Sequence, residues 1–277
     1  MLQASYDWSR DVAIEAYLDA LSGMLALARE LNDKEWQQPT DLEGWSVFDN
    51  VAHVNALEDE LAGRSVPSPI HDWSRFPHVQ TPFQQYTEVG VEARRSMSPT
   101  DLVAELSDLL EERTRQLGYL TDDPDAELRG PAGMVGPVSR VMGTRTLDIW
   151  AHEQDIRRAT HRPTRMAGPA AAAAQQRMIE ALPLIVARSA KAPVGTTVNW
   201  HITGEPDIQR AVHVAANGHG ELRPALGDGQ ADATIALSLE SLQLLFCGRR
   251  ELQAVAVDVQ GDVALAERVI SAMAVTP

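Results

Sequence analysis

The chain has one cysteine, Cys247, so it holds no internal disulfide, and this scarcity fits a reducing compartment. It has no apolar run long enough to cross a bilayer. Residues 1–8 lack the basic-then-apolar order of a signal peptide, and a cytoplasmic location is expected. Basic residues are in the minority, 24 Lys and Arg against 39 Asp and Glu. The resulting formal charge of −15 disfavours non-specific binding to phosphate backbones or anionic lipid, so neither nucleic acid nor a membrane is an expected partner. No Walker, Ser-His-Asp or dinucleotide-binding signature offers a ready chemistry, and there is no internal repeat or low-complexity tail.

What is present is an ordinary globular composition, 44% hydrophobic over 277 residues, enough for one or two domains. An apolar stripe through Val12, Ala16, Leu21, Leu25 and Leu31 predicts a first helix over about 8–32. Trp36 and Trp45 bracket a turn and are expected to clamp it to the core. Ser46, with Asp49 three residues on, predicts a capping box and a second helix ending near Gly63. Residues 64–82 form a long connection with four prolines, read either as a functional rim or as a loop anchored by Trp73 and Phe76. His71 and His78 within it are spare metal candidates. Residues 83–97 read as helix, and Ser98-Pro99-Thr100-Asp101 restarts one that runs to about 120. An acidic loop over 121–129 and a Gly/Pro-rich approach over 130–137 follow.

The next helix, about 139–160, carries Asp148 and His152 four residues apart and therefore on one face. A carboxylate and an imidazole at that spacing can grip one divalent cation. A third ligand is needed, and His53 on the second helix is the candidate, although a histidine on an apolar face is ordinarily a core residue. The predicted centre is His53, Asp148 and His152 inside a helix bundle, with open positions for a thiol or water. Asp155 is either an acceptor that orients an imidazole or a partner of Arg158, and Glu153 points off the ligand face. Arg157, Arg158, Arg162 and Arg165 offset the helix dipole or meet an acidic substrate.

An alanine-rich helix over about 168–189 leads to a change of texture. Residues 196–202, 211–215, 233–237 and 255–259 alternate as strands, and helices begin at Ser238 and after Gly261-Asp262. The fold class expected is a two-domain α plus α/β chain. It comprises a metal-binding helix bundle over 1–165, a connecting helix over 166–192, and a small α+β domain with a mostly antiparallel sheet over 193–277.

The residues around both histidines, Trp45-Ser46-Val47 leading to Ala52-His53 and Arg145-Thr146-Leu147-Asp148-Ile149-Trp150-Ala151-His152-Glu153-Gln154-Asp155, resemble the mycothiol-dependent maleylpyruvate isomerase family of DinB-like four-helix bundles. The second half resembles the sterol carrier protein-like domain found behind such bundles in actinobacterial proteins, through Ala231-Asp232-Ala233, Leu245-Phe246-Cys247-Gly248-Arg249 and Val259-Gln260-Gly261-Asp262. In the characterised isomerase a His on the second helix and a Glu-x-x-x-His pair bind the metal. His53 and His152 match it, and Asp148 stands at the Glu position with one methylene less reach.

The resemblance implies mycothiol as the thiol co-substrate and a divalent metal, zinc or else nickel or a similar ion. A cation-bound thiol is deprotonated at neutral pH and can attack an electrophilic small molecule, as a thiol transferase or a thiol-assisted isomerase. Arg145 is the candidate contact to the thiol cofactor, and Arg249 the candidate contact to a substrate carboxylate; the simpler reading of Arg249 and Arg250 is an offset at a helix C-terminus. Cys247 lies in an apolar run and makes a poor nucleophile. Two other functions compete: a non-catalytic lipid or small-molecule binder on the same scaffold, and a metal-assisted hydrolase. The oligomeric state is left between monomer and homodimer.

Overall fold

The computed structural model describes residues 9–64, 67–120 and 127–276. The expectations for residues 1–8, and for 65–66 and 121–126 within the two predicted loops, lie outside the described residues. The chain divides into two compact units, Met1–Arg165 with Pro169–Ala174, and Met166–Gly168 with Gln175–Pro277.

The first unit is helical. Helix α1 (Arg10–Glu30) starts at Ser9, whose side chain accepts from the Val12 amide. Helix α2 (Val47–Leu61) begins with the expected capping box between Ser46 and Asp49, and Gly63 leaves it at a φ of 80°. Helix α3 (Pro82–Glu92) is shorter than the sequence suggests. Arg94 and Arg95 follow it and turn inward, Arg94 to Glu105 (2.8 Å) and Arg95 to Asp49 (3.0 Å). Helix α4 (Pro99–Gly118) has its cap at Ser98 and Pro99 at its first position. The stretch before the site helix holds a short antiparallel hairpin, β1 (Glu127–Arg129) with β2 (Val135–Pro137), where the sequence suggested only a loop. Helix α5 (Val138–Ala159) carries the predicted ligand pair.

Helices α1, α2, α4 and α5 pack on one another as a bundle, and α3 lies against α2. The bundle core includes Leu21, Met24, Val51, Val54, Leu106, Leu109, Ile149 and Trp150. Burying side chains of this size stabilises by roughly 1.5–3 kcal/mol each before chain entropy is set against it. The division between the units falls within helix α6 (Pro169–Leu184).

The second unit is built on a five-stranded sheet of β3 (Thr197–Thr203), β4 (Ile208–Val214), β5 (Gly220–Pro224), β6 (Ala233–Ser238) and β7 (Val257–Gly261). Their order is β5-β4-β3-β6-β7. Only β3 and β6 run parallel, with Trp200 opposite Ile235, so the sheet is mostly antiparallel as expected. Alternate residues Val198, Trp200 and Ile202 on β3, and Ala233, Ile235 and Leu237 on β6, are buried. Helices α7 (Leu239–Phe246) and α8 (Val263–Ser271) pack against the sheet at β6. No helix among the described residues is long and apolar enough to cross a membrane.

Candidate metal centre

Helix α2 presents His53 toward α5, and α5 presents Asp148 and His152 toward α2. One donor atom from each lies within 4.8 Å of the other two. His53 Nε2 is 3.3 Å from Asp148 Oδ2, and His152 Nε2 is 3.6 Å from Asp148 Oδ1. Donors held about 2.0–2.2 Å from a tetrahedral cation stand roughly 3.4 Å apart, close to each of the two His–Asp separations. Among the described residues this is the one such group of three or more His, Cys, Asp and Glu.

The chemistry of the donors fits as well. Asn50, one turn before His53, donates from its amide nitrogen to Thr40 Oγ1 (3.1 Å) and to the Ser46 carbonyl (2.9 Å). Its oxygen is therefore the atom that meets His152 Nδ1, at 2.7 Å. The proton of His152 sits on Nδ1, and the lone pair of Nε2 is left facing Asp148. Asp155 is buried and 3.8 Å from the same Nδ1, too far to replace Asn50, and it pairs with Arg158. His53 is 3% exposed, and burial pushes its imidazole down to about 4, against the pull of Asp148. It is a neutral, ligand-competent imidazole at pH 7. Asp148 is partly buried, which opposes its charge, but Arg145 and the two histidines outweigh this and hold the carboxyl well below the usual range.

The His53 value fixes one outcome. The unfolded chain takes up this proton near 6.5, whereas the folded chain declines it until about 4. The contribution to stability is therefore complete above 6.5 and fades as the pH falls through that window, by about 3 kcal/mol. Thermal melts of the chelator-treated protein between pH 7 and 4 are expected to show this fall. His53→Gln is expected to flatten it, and equal slopes in both proteins would remove His53 as its source.

Behind the ligands lies a chain of buried charges. Arg145 is 1% exposed. Its Nε and Nη2 donate to Glu58 Oε1 (3.0 and 2.7 Å), and its Nη1 donates to Asp148 Oδ2 (2.5 Å). The other oxygen of Glu58 accepts from the Tyr17 hydroxyl and lies 3.5 Å from Arg113 Nε. Burial and the neighbouring carboxylate hold the Tyr17 phenol protonated well above its usual range. The guanidinium of Arg145, read in the sequence as a contact to the thiol, is thus engaged on a predicted metal ligand and its counter-charge.

In front of the ligands stands Trp45. Its ring lies 5.0 Å from that of His53 and 5.9 Å from that of His152, centre to centre. The indole N–H donates to Glu88 Oε2 (2.8 Å) on α3. Glu88 also meets His78 Nε2 at 3.1 Å and Arg95 Nη1 at 2.6 Å. Gly44 makes room for this: a side chain there would lie 2.4 Å from the His78 ring. The long connection is therefore tied down beside the site through His78, while its Phe76 is buried and edge-on to Trp73. His71 is exposed, and neither it nor His78 joins the donor cluster.

Sequence reasoning gave Trp45 only a clamping role and missed Glu58 and Glu88. Asn50 was visible on the His53 face, but its role depends on His152, 102 residues away in the sequence. Glu153 is fully buried between Arg157 (2.8 Å) and Arg165 (2.7 Å). Arg158 pairs with Asp41 (2.8 Å) and Arg162 with Glu35 (2.6 Å), so this arginine cluster stitches the bundle together. In the second unit Arg249 is 8% exposed and donates to the Cys247 carbonyl (2.6 Å) at the end of α7, the arrangement that offsets a helix C-terminus. Cys247 is buried.

Comparison with known proteins places the fold and the family. The crystal structure of the mycothiol-dependent maleylpyruvate isomerase superposes on 95% of this chain and 98% of its own, with a TM-score of 0.58 and 15% identity. That of its histidine-to-alanine mutant superposes on 93% and 96%, with a TM-score of 0.57 and 14% identity. These likenesses show the fold. Sterol carrier protein 2 from Yarrowia lipolytica aligns with 38% of this chain and 92% of its own at 16% identity, and its TM-score of 0.27 carries no argument. No curated protein matches the chain. The family model of the mycothiol maleylpyruvate isomerase N-terminal domain matches residues 17–157, a span that contains His53, Asp148 and His152. That span is just over half of the chain, and the chain belongs to the mycothiol maleylpyruvate isomerase N-terminal domain family.

Proposed function

We propose that this chain is a metal-dependent enzyme of the cytoplasm that uses mycothiol either to isomerise an electrophilic small molecule or to join the thiol to it. The observation that carries the reading is the convergence of His53, Asp148 and His152 at a spacing suited to one divalent cation, with zinc the best match to two imidazoles and a carboxylate. A cation bound there supplies the positive charge that keeps a thiol in its thiolate form at neutral pH. The chain's own residues do the rest. Asn50 fixes the tautomer of His152, Arg145 keeps Asp148 ionised, and Trp45 covers both imidazoles against bulk water. The carboxylate of Asp148 is about one-third exposed, while both imidazoles are covered, so a substrate approaches on the Asp148 side.

In this reading Arg145 acts on the thiol through Asp148, while Arg249 stays bonded to the Cys247 carbonyl at the end of α7. The functional division follows residues 1–165 for the metal bundle, 166–192 for the connecting helix, and 193–277 for a sterol carrier protein-like domain. The chain works as a monomer or homodimer.

The test is turnover by the zinc-loaded full chain, with maleylpyruvate and with neutral electrophiles, in the presence and absence of mycothiol. Product formation is expected only with the thiol, and Asp148→Ala is expected to abolish it. Turnover without thiol would favour the hydrolase reading instead. No turnover and no metal uptake would leave a binding protein on this scaffold.

A further inference from the structure

A cavity of about 320 Å³ opens in the first unit between α2 and α3, beneath Pro67 and Pro69 of the long connection. Its volume is that of a small-molecule site. Ala56 and Leu57 line it from α2, and Val89 and Gly90 from α3. Gly90 is required for the α2–α3 approach here, because a side chain at that position would lie 2.5 Å from the Ala56 Cβ. Ala56 and Leu57 stand three and four residues beyond His53, about one helical turn along α2. The cavity therefore begins within a turn of the metal cluster, on a neighbouring stretch of the same helix.

Its polar equipment is sparse and of one sign. The lining is mostly apolar, and its one charged side chain among the described residues is Glu60, whose carboxylate accepts from the Tyr86 hydroxyl. That hydroxyl in turn accepts from the Ala132 amide (2.9 Å), so the phenol is fixed from both sides. Among the described residues no Lys, Arg or His lines the cavity. The nearby guanidinium groups are engaged elsewhere, Arg145 with Glu58 and Asp148, and Arg94 with Glu105 and Asp59. A dicarboxylate would need a guanidinium fork at this place, and it would meet a carboxylate instead.

We infer that this cavity receives the apolar end of a neutral electrophile, with Glu60 and Tyr86 selecting against anionic substrates and accepting from a hydroxyl or amide of the ligand. The inference rests on the function proposed above, since it names the substrate class of that site. An electrophile seated with its apolar end here lies between Leu57 and Val89 and is held one to two turns of α2 from His53.

The test separates the two readings, because it measures binding with neither metal nor thiol. Benzyl alcohol and benzoate share a ring and differ in charge. Ligand-observed NMR on the full chain is expected to show benzyl alcohol binding and benzoate weaker by tenfold or more. Glu60→Gln is expected to shrink that ratio to less than threefold, since glutamine keeps the Tyr86 hydrogen bond and removes the charge. Val89→Trp is expected to abolish binding of benzyl alcohol. Contacts from the ring to the Leu57 and Val89 methyls, read as intermolecular NOEs in the parent protein, give the location without any variant. Benzoate binding as tightly as benzyl alcohol, NOEs to other methyls, or no binding of either would overturn the inference. Charge-selective binding in a protein that neither takes up metal nor turns over would sink the proposed function and leave the cavity assignment standing.

Discussion

His152→Ala is expected to strip the protein of its metal: about one equivalent of zinc in the parent, and little in the variant. The expectation follows from how the ligand is held. His152 contributes one of three donors, and its Nε2 is available because Asn50 occupies the opposite nitrogen at 2.7 Å. Losing an orienting partner such as Asn50 costs about ten- to a hundredfold in metal affinity, so Asn50→Ala sets a lower mark and loss of the ligand itself falls beyond it. With His152 gone, only His53 and Asp148 remain, 3.3 Å apart, and two donors on a bundle wall do not close around an ion. Metal content by mass spectrometry, with zinc competition titrations, gives the ranking parent, Asn50→Ala, His152→Ala. Equal metal in all three would put the ion elsewhere and remove the basis of the catalytic reading.

The candidate ligand pair was legible in the sequence because it is local. Asp148 and His152 obey the four-residue spacing of a helix, and the amphipathic pattern around them defines α5. The Ser46–Asp49 capping box that starts α2 is likewise complete within four residues. His53 was reachable only as a third donor in search of partners, and its place was settled by the packing of α2 on α5. What could not be read depends on distant chain. Trp45 looks like a loop clamp until α2, α3 and α5 bring His53, Glu88 and His152 around it. Glu58 sits in the acidic run Glu58-Asp59-Glu60 and looks solvated, yet it is fully buried because Arg145 arrives from 87 residues away.

The secondary-structure misses have the same origin. Strand β5 has no apolar alternation to read, since it is the sheet's outer edge and most of its residues are exposed. Helix α3 ends at Glu92, five residues early, where Arg94 and Arg95 leave the helix to pair with Glu105, Asp59, Asp49 and Glu88. The hairpin of β1 and β2 is three residues per strand, too short for any periodicity.

Arg145→Met is expected to be the most destabilising single change in the bundle, by about 3–5 kcal/mol, because it leaves a buried charge without its main partner. Glu58 is fully buried and receives two hydrogen bonds from Arg145, whereas Arg113 stands farther off at 3.5 Å. Arg113 therefore compensates only in part, and the loss corresponds to roughly 10 °C in melting temperature for a unit of this size. Asp148 loses its nearest cation at the same time, so metal affinity is expected to fall together with stability. A simple packing role for Arg145 predicts a different pattern. If the side chain mattered through its bulk, methionine, which is similar in length, would replace it at little cost. If it matters through charge, the double variant Glu58→Gln with Arg145→Met recovers much of the stability, because the carboxylate left without a partner is then gone. Glu58→Gln alone is also costly, since it leaves Arg145 buried with Asp148 as its only counter-charge. Thermal melts of the four proteins in the cycle, with and without zinc, decide between them. Losses that add without coupling would show that Glu58 and Arg145 act independently, and that the buried chain from Tyr17 to Asp148 does not operate as one unit.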